Sequence, residues 1–170
     1  ITSNYNGISL NCYGDSTAEL TAIGSGGTGS YSYIWSNGDT TSLIDSLSAG
    51  TYSVLITDIN GCQGSDLLTI VNPDSILFNF NLSNYNGSNI SCYGYNDGMI
   101  EVSISSGVDI NYSSIVWTDS IGNLVPLPNI LNDTILNNIT SGIYNLSVLD
   151  INGCSANSSI ELYQPDPLVN

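Results

Sequence analysis

Apolar and polar positions alternate along short stretches of this chain and give way to turn residues roughly every eight to twelve positions. Tyr31, Tyr33 and Trp35 alternate with Ser32, Ile34 and Ser36, and Tyr144, Leu146 and Val148 alternate with Asn145, Ser147 and Leu149. A period of two sends successive side chains to opposite faces of a strand, so one face of each stretch turns inward. Glu19 to Ile23, Leu67 to Val71, Ile100 to Ile104 and Ser158 to Leu162 have the same character. No stretch carries a helical period, and the chain reads as all-β.

The same pattern is written twice. Cys12-Tyr13-Gly14, Trp35, Gly50-Thr51-Tyr52 and Asp58-Ile59-Asn60-Gly61-Cys62 return as Cys92-Tyr93-Gly94, Trp117, Gly142-Ile143-Tyr144 and Asp150-Ile151-Asn152-Gly153-Cys154. Such a frame marks a stackable module, and function is expected from modules in series. The copies match at an offset of 80 for Ser3 and Ser83, at 82 for Asp15, Glu19 and Trp35 with Asp97, Glu101 and Trp117, and at 92 from Gly50 and Gly142 onward. These offsets place two extra residues after Cys92-Tyr93-Gly94. Ten more fall between Trp117 and Gly142, around Leu124-Val125-Pro126-Leu127-Pro128, where a surface loop would absorb them.

Seven or so short strands per module, a Trp on a middle strand and a bridging disulfide predict two tandem immunoglobulin-like β-sandwich modules, each with one disulfide. Leu47-x-x-Gly50-x-Tyr52 and Ile139-x-x-Gly142-x-Tyr144 read as tyrosine corners, in which the Tyr hydroxyl bonds upstream backbone. The expected boundaries are 1–72 for module one, its first strand truncated, 73–164 for module two, and 165–170 for the start of a further repeat or a donated strand. Pro165-Asp166-Pro167-Leu168 repeats Pro73-Asp74-Ser75-Ile76 at an offset of 92, which sets that last boundary and points to a window of a longer array.

Composition narrows the setting. The 170 residues include no Lys, Arg or His against 15 acids, a formal charge of -15. Nucleic acid is excluded as a partner, because its affinity comes from cationic side chains on phosphates. With 41% hydrophobic and 9% charged residues, the chain is too apolar for a disordered acidic tail. Four cysteines at matched places imply two bridges and an oxidising compartment. They allow three connectivities, of which a module that folds alone favours Cys12 with Cys62 and Cys92 with Cys154. Each bridge would add about 4 kcal/mol in the chain-entropy model. A zinc site made by all four is disfavoured because no close C-x2-4-C pair exists. No run of 18 apolar residues is present, so membrane insertion is not expected, and Ile1 opens without a signal-peptide pattern.

Without His or Lys, a Ser or Thr nucleophile lacks an ordinary general base, and no catalytic residue is assigned. Asp15 with Glu19, or Asp97 with Glu101, is the one pairing that could serve glycoside hydrolysis, and its recurrence argues instead for a turn or an ion site. No cofactor is expected. Calcium is the ion that loop carboxylates and carbonyls suit, with Asp58, Asn60, Asp150 and Asn152 as ligand candidates. The same residues also read as Asn-Gly hairpin turns with an Asp bonding backbone. Trp35, Trp117, Tyr52 and Tyr144 are expected in the core rather than on a sugar-binding platform.

The frame Cys-Tyr-Gly, Tyr33-Ile34-Trp35-Ser36-Asn37-Gly38, Leu-x-x-Gly-x-Tyr and Asp-x-Asn-Gly-Cys resembles the SprB-type repeat of Bacteroidota cell-surface proteins. Such repeats occur in very large secreted adhesins and filaments, including gliding-motility adhesins exported by the type IX system. The resemblance implies an extracellular, adhesive or structural segment with no enzymatic role. Its partners would be other copies of itself or neighbouring repeats, and surface glycans. A carbohydrate-binding module is the alternative. The triplets beginning at Asp15, Asp39, Asp45, Asp74, Asp119 and Asp133 look like the O-glycosylation sites of Bacteroidota. They nominate Ser16, Thr40, Ser46, Ser75, Ser120 and Thr134, although plain polar turns have the same composition.

Overall fold

Six strands build each module among the described residues, one fewer than the turn spacing predicts. The computed structural model describes residues 2–3, 10–105, 112–125 and 134–169. The centre of the ten-residue insertion, at Pro126 to Pro128, and the repeated Asn4 to Gly7 therefore lie outside them. Contacts divide the chain into two units, Ile1–Asp74 and Ser75–Asn170. In the first, β1 (Thr2–Ser3), β2 (Ala18–Thr21) and β4 (Leu43–Leu47) form one antiparallel sheet, ordered β1-β2-β4. β3 (Ser32–Trp35), β5 (Gly50–Thr57) and β6 (Gln63–Ile70) form the other, ordered β3-β5-β6. The second unit repeats this with β7 (Leu77–Leu82), β8 (Gly98–Ser105) and β10 (Ile135–Ile139) in the order β10-β8-β7. Its other sheet holds β9 (Tyr112–Asp119), β11 (Gly142–Asp150) and β12 (Ser155–Leu162) in the order β12-β11-β9.

Each module has its own core, as the alternation requires. Leu20, Trp35, Ile44, Val54 and Ile70 meet in module one; Ile100, Trp117, Leu136, Leu146, Val148 and Leu162 meet in module two. Burying one such aliphatic side chain contributes about 1.5–3 kcal/mol. Trp35 and Trp117 retain 2% and 1% of their exposure, which puts both indoles in the core as expected. The Trp35 indole N–H donates to the Thr41 carbonyl at 2.8 Å, so its polar edge is not stranded. Both tyrosine corners form: the Tyr52 hydroxyl donates to the Ser48 carbonyl at 3.0 Å and Tyr144 to Thr140 at 2.9 Å.

Pairing register corrects the sequence alignment in one place. Ala18 and Leu20 pair with Leu47 and Ile44, while Gly98 and Ile100 pair with Ile139 and Leu136. Since Leu47 and Ile139 are equivalent at an offset of 92, Leu20 corresponds to Ile100 at 80, not to Val102 at 82. The two-residue insertion therefore falls between β8 and β9 rather than after Cys92-Tyr93-Gly94. A slip of two leaves strand alternation unchanged, which is why matching side-chain types could not detect it. Glu19 and Glu101 consequently stand at different rungs and do not recur.

The hairpin loops share one construction. Asp58 N–H donates to the Cys62 carbonyl at 2.9 Å, Asp119 to Asn123 at 2.9 Å and Asp150 to Cys154 at 3.0 Å, which encloses three loop residues each time. Gly61, Gly122 and Gly153 take φ of 85°, 87° and 86°, whereas Asn60 and Asn152 do not enter the left-handed region. The expected two-residue Asn-Gly turn needs positive φ at both residues; a three-residue loop with one glycine bulge needs it once. The Asp carboxylate fills the loop. Asp58 Oδ1 accepts from Asn60 and Cys62 N–H at 2.9 and 2.8 Å, and its Oδ2 accepts from Thr28 N–H at 2.9 Å.

These donors favour the ionised carboxylate. The Thr28 N–H, with that of Cys62, holds Asp58 below its ordinary 3.8. At Asp119 burial pulls upward and is outweighed by the Asn123, Ile121 and Gly122 donors, so it too is lowered. A depressed carboxylate contributes stability that is complete above its unfolded value and is lost as pH falls through the folded one. Thermal unfolding should therefore be insensitive to pH from neutrality to about pH 4 and weaken below it, with Asp58→Asn flattening the acid limb for module one. In urea unfolding, Tyr144→Phe should cost about 1 kcal/mol for the lost corner bond. Leu146→Ala should cost about 2–5 kcal/mol for the cavity it leaves.

Candidate functional site

The four cysteines mark the two ends of each module. In module one, Cys62 sits on the β5–β6 hairpin, at the tip where β6 begins. Cys12 lies at the base where β6 ends, because Leu10 N–H donates to the Val71 carbonyl at 3.0 Å and Gly14 N–H to Asn72 Oδ1 at 3.1 Å. Module two repeats the arrangement. Cys154 precedes β12 at the tip, whereas Ile90 N–H donates to the Tyr163 carbonyl at 3.1 Å and Gly94 N–H to Gln164 Oε1 at 2.9 Å, which holds the Cys92 loop at the base.

That geometry overturns the expected bridges. β6 and β12 have 8 residues each. At the rise of an extended strand this is a length of about 26 Å. Disulfide-bonded residues have Cα atoms no more than about 7 Å apart. Neither Cys12–Cys62 nor Cys92–Cys154 forms, and neither module holds a bridge of its own. Cys12 and Cys154 are disulfide-bonded and half-buried, and Cys62 and Cys92 are exposed free thiols.

The carboxylates singled out in the sequence act within the fold. Asp15 Oδ2 accepts the Cys12 N–H at 3.2 Å. Asp97 accepts the hydroxyl of Ser91 and, at 3.1 Å, its N–H; these bonds, the hydroxyl first, lower its pKa. Glu101 Oε2 accepts from Asn81 Nδ2 at 3.0 Å on the neighbouring strand, and Glu19 stands on β2. Asp150 Oδ1, like Asp58, takes two loop N–H groups, those of Asn152 and Cys154, both at 2.8 Å. At Asp58 both carboxylate oxygens accept N–H donors, and at Asp150 Oδ1 does. Among the described residues no three His, Cys, Asp or Glu cluster as a metal site. Of the glycosylation candidates Ser16, Thr40, Ser46 and Ser120 are exposed, and Ser75 and Thr134 are half-buried. Ser46 takes a positive φ of 55° at a bulge of β4, as Asn138 does at 56° in β10.

Apolar residues surround the cysteines at the module ends. At the tip of module one Ile59 and Ile23 are 72% and 69% exposed, and at the base of module two Tyr93, Tyr95 and Tyr163 are 56%, 56% and 60% exposed. Beside Ile23 lies a shallow concavity of about 300 Å³ whose wall includes Gly24, Gly26, Tyr31, Asp58 and Cys62. Gly27 shapes it: with φ at +65°, a Cβ there would come within 2.8 Å of Asp58 Oδ2. These residues lie outside the strands: β2 ends at Thr21, short of the Ile23 that the alternation included, and alternation gives no hint of the others. The Tyr that follows Cys in both copies was the available signal.

The family model for the SprB repeat matches residues 9–40 and 84–119, one segment in each module. No curated protein matches the chain. Among solved structures, the three N-terminal domains of the bacteriophage RB49 highly immunogenic outer capsid protein align over 96% of this chain and 57% of theirs, at 14% identity and a TM-score of 0.45. A structure explaining Dscam isoform specificity aligns over 95% of this chain and 45% of its own, at 12% identity and 0.38. Murine CEACAM1b aligns over 93% and 96%, at 13% identity and 0.36. The chain thus spans about half the length of the first two. Among the described residues no helix is long and apolar enough to cross a membrane. The chain is all-β, and one segment in each of its two modules matches the SprB repeat.

Proposed function

We propose that this chain is a structural segment of a secreted cell-surface protein, whose modules stand in series to form an extracellular stalk or filament that attaches to surfaces or to its own copies. The observation that carries this reading is the SprB match falling once in each of two units that have separate cores. Three further features support it. Acidic groups are spent on loop N–H donors, and no side chain supplies an ordinary base for acyl transfer, which favours a scaffold over an enzyme. The disulfide-bonded Cys12 and Cys154 suit an oxidising exterior. Absence of Lys and Arg leaves trypsin no site to cut, a useful property in an exposed fibre.

Antibody raised against the 170-residue chain should label intact source cells without permeabilisation, and trypsin should leave the purified 170-residue chain uncut. Labelling that appears only after permeabilisation would sink the reading. Saturable binding to defined soluble glycans, lost on Tyr93→Ala, would favour the carbohydrate-binding alternative, since Tyr93 and Tyr95 are the exposed aromatic pair beside Cys92.

A further inference from the structure

We propose that Cys62 and Cys92 are the two halves of an end-to-end disulfide, joining the tip of module one in one copy of this chain to the base of module two in the next. The inference rests on the array reading above. Its warrant is the repeat itself: Cys62 occupies the position of Cys154 and Cys92 that of Cys12, and those two equivalents are disulfide-bonded. One tip cysteine and one base cysteine are thus oxidised, and one of each is left exposed. Neither thiol can reach the other cysteine of its own module, because the full length of β6 or β12 lies between them.

The surfaces around the two thiols fit each other in kind. Cys62 lines the glycine-walled concavity at the tip, next to the exposed Ile23 and Ile59. Cys92 is followed by the exposed Tyr93, a ring able to seat in such a hollow as the two sulfurs meet. Charge explains why the joint would be covalent. Two chains of formal charge -15 repel, and neither has a cationic side chain with which to form an ion pair. A disulfide holds such ends together at any salt concentration.

The oxidant is a dithiol–disulfide oxidoreductase of the oxidising compartment, or a small-molecule disulfide. The Cys92 thiolate first attacks the oxidant's disulfide and forms a mixed disulfide. The Cys62 thiolate of the second copy then displaces the oxidant's sulfur. The S–S bond forms, the two thiols release two protons, and the two electrons leave in the reduced oxidant.

The test oxidises the purified 170-residue chain in a glutathione redox buffer and resolves it on non-reducing gels, with peptide mapping by an Asp-specific protease because trypsin has no site. A ladder of dimers, trimers and higher species is expected, with Cys62–Cys92 as the linking peptide. Cys62→Ser and Cys92→Ser should each abolish the ladder beyond dimer. Mixing the two variants should restore a heterodimer through the one remaining pair. Both sites are exposed, so each variant should keep the parent melting temperature, which separates lost linkage from lost folding. Oligomers linked only Cys62–Cys62 or Cys92–Cys92, a monomer with both thiols joined to each other, or no ladder at all would each overturn the proposal. Surface labelling without a ladder would remove the cross-link and leave the array reading standing. A Cys62–Cys92 ladder with no surface labelling would do the reverse.

Discussion

With no Lys, Arg or His in 170 residues, every carboxylate that folding draws out of water must turn to N–H and O–H groups. The hairpin loops follow from that constraint. Asp58, Asp119 and Asp150 each collect backbone N–H groups from the loop they begin, and Asp58 adds Thr28 from a neighbouring loop. Acid groups in this protein therefore work as loop fasteners. The same N–H groups hold each loop in one shape. What the loops at the module tips fix in place is the cysteine that follows, at residue 62 or 154, and so the chemistry of the tips depends on how the carboxylates are satisfied.

Much of this architecture was legible. Trp35 and Trp117 sit in period-two stretches, and both lie at the centre of a core. The Leu-x-x-Gly-x-Tyr spacing places a hydroxyl over a carbonyl four residues back, and both corners form. The bridges were not legible in the same way. Counting cysteines gives their number and allowed pairings, but not the end of the sandwich on which each one lies. That is decided by strand length, and an eight-residue strand separates partners that a self-contained module would be expected to join. The slip of two at β8 escaped for a related reason: two is the strand period, so only hydrogen-bond register distinguishes Leu20–Ile100 from Leu20–Val102.

The candidate site was missed because it lies beyond the strand ends; Ile23 closes a stretch read as a strand, yet β2 stops at Thr21. Ile23, Ile59, Tyr93, Tyr95 and Tyr163 lie at module ends, where apolar side chains have no inward face to turn to. Each end combines a cysteine with exposed apolar surface, and each end is built by the repeated frame. Both facts direct attention to the ends of the module, while the Trp and Tyr residues that first suggest a sugar platform serve the interior.

The eight-rung pairing of β5 with β6, and of β11 with β12, has a mechanical consequence. Tension applied between the tip and the base of a module runs along these strands, parallel to the ladder rather than across it. The inter-strand hydrogen bonds stand perpendicular to that pull, so it does not peel them open one at a time as in a zipper. A module held by its two ends is thus loaded in its stiffest direction, and the arrangement that keeps its cysteines apart also suits it to bear a pull.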